Sequence, residues 1–91
     1  MPSSVRDNEQ LHRFELDVDG HLAFSEYQRA DNTLTFMHTK VPKELEGRGV
    51  GSALVRGALE LAKGQGLTIK ARCPFVAAYI KKHPELTLAA G

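Results

Sequence analysis

Residues 41–66 read VPKELEGRGVGSALVRGALELAKGQG, and the purpose of Gly47, Gly49 and Gly51 within them decides the fold. Behind these glycines Val50, Ala53, Leu54, Gly57, Ala58, Leu61 and Ala62 recur at helical spacing, with Arg56, Glu60 and Lys63 on the other side. Gly64 and Gly66 bracket the stop, as a left-handed C-terminal cap requires. The glycines therefore stand at a helix entrance. A simple bend needs one of them. Three, interleaved with a cation and followed by Ser52, suit a backbone that approaches a ligand closely, because the free N–H groups of a first helical turn face an anion.

Working upstream, HRFELDV alternates, with Phe14, Leu16 and Val18 on one side and Arg13, Glu15 and Asp17 on the other, the pattern of a half-buried strand. Asp19-Gly20 is a two-residue hairpin signal, and HLAFSEYQRA returns with Leu22 and Phe24 on one face. Ala30-Asp31-Asn32 turns again into TLTFMHTKV, with Leu34 and Phe36 inward, and Pro42 closes that strand. Downstream, LTIKARC reads as a fourth strand and FVAAYIKKH as a short helix begun by Pro74 and ended by Pro84. The terminal ELTLAAG has room for one more turn. The order is β-β-β-α-β-α, an α+β fold. A crossover through the glycine-led helix pairs the third and fourth strands in parallel. Residues 11–91 form the domain, and the polar residues 1–10 are expected to be a flexible tail.

The 91 residues suffice for one small domain with a modest core. Twelve Lys and Arg against 11 Asp and Glu leave a net charge of +1, which gives no broad basic field for nucleic acid; there is no tryptophan for base stacking either. A single cysteine, Cys73, forms no internal disulfide, and no apolar run is long enough to span a bilayer. A soluble protein of a reducing compartment, the cytoplasm, is expected, as a monomer or weak dimer. His12, His21, His38 and His83 show no paired metal-ligand spacing, so no metal is expected.

Two phosphate motifs fail on the glycines. A Walker loop requires lysine before Ser52, and the dinucleotide fingerprint lacks its third glycine whichever glycine starts it. A nucleophile elbow is absent around Ser52 as well. The whole pattern, VP-x-x-x-x-G-x-G-x-G-S-x-L after a meander, resembles the acetyl-CoA-binding segment of the GNAT superfamily of N-acyltransferases. HTKVPKELEGRGVGSALV together with CPFVAAYIKKHPEL resembles its minimal, YjdJ-type branch of small acetyltransferases. The resemblance spans residues 14–86 and implies a truncated GNAT-like fold around a cofactor cleft.

It also implies a cosubstrate, acetyl-CoA. Its diphosphate would sit on the amides of Arg48, Gly49, Val50, Gly51 and Ser52 beside Gly47, and its pantetheine arm along residues 38–41, Thr39 and Val41 included. Glu46 departs from the family's Gln or Arg, and Arg48 would supply the charge from next door. Four cations against two anions between Lys40 and Arg56 favour a phosphate-rich ligand. The resemblance places Cys73 beside the thioester and Tyr79 near the residue that protonates the departing thiolate. His38, at the end of the third strand, suits the role of base for an amine acceptor. Cys73, Tyr79 and His38 also have plain packing roles open to them. The expected function is N-acetyl transfer to an amine by direct attack, the acceptor being any amine, a protein's included. The alternative is a non-catalytic acyl-CoA-binding or adaptor module. Larger GNAT domains build their acceptor pocket from a helical segment between the first strands, and Asp19-Gly20 leaves no room for one here.

Overall fold

A computed structural model describes residues 4–88. Five strands form one sheet in sequence order: β1 (Arg6–Asn8), β2 (Arg13–Val18), β3 (His21–Ala30), β4 (Thr33–Lys40) and β5 (Thr68–Ala71). The first four pair antiparallel, and β5 joins β4 in parallel after the crossover helix α1 (Val50–Gly64). Helix α2 (Pro74–Lys82) and a last turn, α3 (Glu85–Leu88), complete the α+β fold. The β2–β3 and β3–β4 hairpins have two-residue turns. Asp19 (φ 51°), Gly20 (φ 79°) and Asp31 (φ 54°) take the left-handed conformation that such turns demand.

One face of the sheet makes the core. Phe14, Phe36 and Leu34 lie at 0–1% exposure beneath the α1 residues Leu54, Val55, Ala58, Leu59 and Ala62. Each Phe, Leu or Val among them contributes about 1.5–3 kcal/mol by leaving water, and each Ala about 1 kcal/mol or less. The buried stripe of α1 takes in Val55 and Leu59, whereas Ala53 is exposed and Leu61 is 38% exposed. The apolar face is thus rotated from the one that the spacing suggests, because α1 lies across several strands and a wider arc meets them. On β3 the register sets Phe14 opposite Ser25 and Leu16 opposite Ala23, so Ala23, Ser25 and Tyr27 are the buried set. Leu22 and Phe24 do share a face, but it is the open one, where the Arg13 guanidinium lies 4.5 Å from the Phe24 ring centroid.

Two local features depart from the sequence reading. The expected tail contains a strand: β1 pairs with β2, and the Tyr27 hydroxyl donates a 2.6 Å hydrogen bond to Asp7. Residues 1–3 of that tail, and residues 89–91 of the expected domain, lie outside the described residues. On the open face Glu15, read as a solvent residue, is 3% exposed and is held by Arg13 Nε at 2.7 Å, Asn8 Nδ2 at 3.0 Å and Arg6 Nη2 at 2.9 Å. Burial by itself would raise its carboxyl, but the bonds from Arg13 and Asn8 and the charges of Arg13 and Arg6 outweigh it. The carboxyl is held below its ordinary range.

The second feature is a bulge in β4. Glu26 pairs with His38 and Tyr27 with Phe36, so Met37 is an extra residue that shifts the alternation by one. Phe36 and Thr39 therefore face the helices, and His38 is turned to the open face.

Candidate functional site

The site begins where two parallel strands part. β4 and β5 stay in register only as far as Phe36 and Ala71. The Phe36 carbonyl then accepts both the Arg72 N–H at 2.8 Å and the Cys73 N–H at 3.1 Å, and Pro74, which has no N–H, opens α2. β4 continues to Lys40 without a strand on that side, leaving a backbone edge open to a ligand.

Opposite that edge lies the entrance of α1. A 3-10 turn over Lys43–Leu45, anchored by fully buried Leu45, leads into the glycine loop. Gly49 is the N-cap, at φ 73° and ψ 14°, and no side chain caps the helix or places an acid in its first turn. The first bond inside the helix runs from the Ala53 N–H to the Gly49 carbonyl at 3.0 Å. The amides of Val50, Gly51 and Ser52 precede it and have no acceptor of their own within the helix. Gly51 is needed for a different reason. A Cβ there would lie 3.2 Å from Phe75 Cζ and 3.4 Å from Val41 Cγ2, so the absent side chain lets the helix start approach both walls.

These pieces enclose a cavity of 420 Å³. Seven residues expected to hold the cofactor line it: Thr39, Val41, Gly47, Gly49, Val50, Gly51 and Ser52. Arg48 does not. Its N–H is spent on the Leu45 carbonyl at 3.3 Å, and its guanidinium turns away to an exposed ion pair with Asp19 at 2.9 Å. Glu46 lines the cavity and no lysine or arginine does, so attraction for an anion there would come from oriented backbone dipoles rather than from side-chain charge.

The three candidate reactive side chains are spread over different surroundings. Cys73 is 5% exposed, and its thiol donates to Thr39 Oγ1 at 3.5 Å. Thr39 Oγ1 in turn shares a 2.9 Å hydrogen bond with the buried Ser25 hydroxyl. Thr39 thus joins the cavity wall to the cysteine. Tyr79 lines a second cavity, of 220 Å³, with Ser52, Phe75, Ala78, Lys82 and His83. Its ring lies 4.5 Å from that of His83. A hydrogen bond with Tyr79 and the charge of Glu60 hold the Arg56 guanidinium above its ordinary value. His38 lines a third cavity, of 250 Å³ on the open face, with His12, Glu26 and the bulge residue Met37.

Sequence reasoning missed two of the site's residues. Phe75 walls both of the first two cavities, and its only signal was its place beside Cys73-Pro74. Ser25 is a fully buried hydroxyl, which becomes visible once Ala23 and Tyr27 are taken as the inward set.

Comparison with known proteins bears on the family and the fold. A family model described as GCN5-related N-acetyl-transferase matches residues 13–89. The fold is similar to the NMR solution structure of a GCN5-like candidate N-acetyltransferase from Staphylococcus aureus. The two are 30% identical with a TM-score of 0.67, over 93% of this chain and 84% of the other.

Proposed function

Because the chain belongs to the GCN5-related N-acetyltransferase family, we propose that it transfers the acetyl group of acetyl-CoA directly to an amine. The observation that carries this reading is the uncapped start of α1 opening into the 420 Å³ cavity, across from the unpaired edge of β4. The residues fit the cosubstrate. Unpartnered amides and the helix dipole favour a diphosphate, and the missing Cβ at Gly51 lets the helix start close against Phe75 and Val41. The backbone of residues 38–41 offers the N–H and C=O groups that an extended pantetheine amide chain would pair with.

The chemistry follows from where the strands part. The acceptor amine attacks the thioester carbonyl, the new N–C bond forms, and the C–S bond breaks. Cys73, hydrogen-bonded to Thr39 at the inner end of the cavity, gives its proton to the departing thiolate and is reprotonated from solvent. The amine gives its proton to solvent at the open end of the splayed strands. His38 stands on the opposite face of β4, out of reach of the thioester, and there it lines a cavity for the body of the acceptor. Glu26, opposite His38 in the register, favours a cationic acceptor there. Holding the two reactants together at the open edge of β4 removes much of the entropic barrier.

The test is to incubate the protein with acetyl-CoA and a lysine-containing peptide, following free thiol and the intact masses of both. Direct transfer predicts acetylated peptide and unmodified protein. Acetyl on Cys73 before acceptor is added would replace direct attack with a two-step route. Tight acetyl-CoA binding with no thiol release from any amine tried would favour a non-catalytic binding module.

A further inference from the structure

Three cations stand on the open face of the sheet where β4 and β5 part. Ile69, Ala71 and Cys73 pack toward the core, which leaves Lys70 and Arg72, the residues between them, on the open face. Lys40 joins them from β4, because its register partner is the open-face residue Phe24. All three are exposed, and none has an ion pair or a side-chain hydrogen bond among the described residues. Each borders the gap. Lys70 is level with Thr35, the Arg72 N–H binds the Phe36 carbonyl where the strands separate, and Lys40 ends the strand that runs on alone. The acids of this face are engaged or set apart. Glu15 and Asp17, on β2, are paired with Arg6 and Arg13. Glu26 is on β3, opposite His38, one strand away from the gap.

We infer that Lys40, Lys70 and Arg72 receive an acidic segment of the acceptor, so that the preferred substrate is a peptide amine flanked by Asp or Glu. The inference rests on the proposed function and deepens it. An amine that reaches the thioester between the splayed strands brings the chain on either side of it across these three charges. Basic flanks would meet like charge there, and acidic flanks would be paired and steered toward the gap. Glu26, the one carboxylate lining the neighbouring cavity, is left for the acceptor's own ammonium group. A peptide suits the face better than a nucleic acid. Phe24, whose ring lies on it, is covered by the Arg13 guanidinium at 4.5 Å, so the stacking platform that bases require is lacking.

The test is binding of fluorescent peptides, followed by anisotropy at low salt, together with thiol release from acetyl-CoA. The peptides share a central lysine and differ in its flanks, which are glutamate, glutamine or arginine. An exposed ion pair gives about twofold in affinity, so three should make the glutamate peptide bind about tenfold more tightly than the glutamine one, with the arginine peptide weakest. Combining Lys70→Gln with Arg72→Gln should remove most of that preference, and so should raised salt. Lys81→Gln, at an exposed lysine of α2 away from this face, should keep it. Equal affinity for the three peptides, a preference for arginine flanks, or a preference that survives the double variant overturns the inference and leaves the proposed function standing. Displacement of the glutamate peptide by a short oligothymidylate at equal concentration overturns it too. Selective binding of the glutamate peptide with no thiol release from any of the three upholds the acidic docking surface and overturns the proposed function.

Discussion

Replacing Gly49 by alanine tests whether the loop is held in shape by backbone conformation. Gly49 sits at φ 73° and ψ 14°, in the left-handed region, where a Cβ crowds the following carbonyl. A Cβ built there meets nothing within 4 Å, so packing adds neither clash nor contact. What remains is the left-handed penalty, about 1–2 kcal/mol, partly offset by the smaller chain entropy that alanine has in the unfolded state. The net loss is about 1 kcal/mol, which in a domain of this size lowers Tm by roughly 4–8 °C. Gly49→Asn should recover most of it, because asparagine tolerates the same conformation. Thermal unfolding of the three proteins without ligand is the assay. An alanine variant as stable as wild type, or an asparagine variant no better than alanine, would refute the reasoning.

The remaining predictions concern charge and chemistry. Glu15→Gln should cost about 1–2 kcal/mol at neutral pH through weakened bonds to Arg13 and Arg6. Since the native carboxyl is held below its unfolded value, its contribution is present above the unfolded pKa and fades as pH falls through the native one. The gap in Tm between wild type and variant should therefore narrow as the pH falls below the ordinary carboxylate range; a gap that stays constant through acid would contradict this. Cys73→Ala should lower kcat by about 10²-fold in a thiol-release assay while leaving acetyl-CoA affinity unchanged. Unaltered kcat would remove the cysteine from the proton path. His38→Ala should reduce kcat/KM for the amine by about tenfold, through KM, and leave the KM for acetyl-CoA in place, since its side chain lies across β4 from the glycine loop.

Much of this architecture was legible because its signals are local. Asp19-Gly20, Pro74 and the helical repeat behind Gly49 each state their geometry within a few residues. What was hidden depends on partners far away in sequence. β1 carries no apolar alternation; backbone pairing and Arg6 against buried Glu15 hold it to the sheet. The bulge at Met37 leaves no mark in TLTFMHTKV, yet it sends His38 to one face and Thr39 to the other. Arg48 looked available for a phosphate, but the β2–β3 turn brings Asp19 within 2.9 Å of it. The glycine loop was readable as a helix entrance from its own residues. The separate surroundings of Cys73, Tyr79 and His38 were not, because they are set by where two helices and a splayed strand pair place them.

The central claim is that the free amides at the start of α1 receive the diphosphate. Amide-resolved NMR of the labelled protein, titrated with coenzyme A, reports on it directly. The largest displacements should fall on Gly49, Val50, Gly51 and Ser52. Spectra unchanged at saturating ligand, or changes confined to the open face around Glu26 and His38, would contradict it.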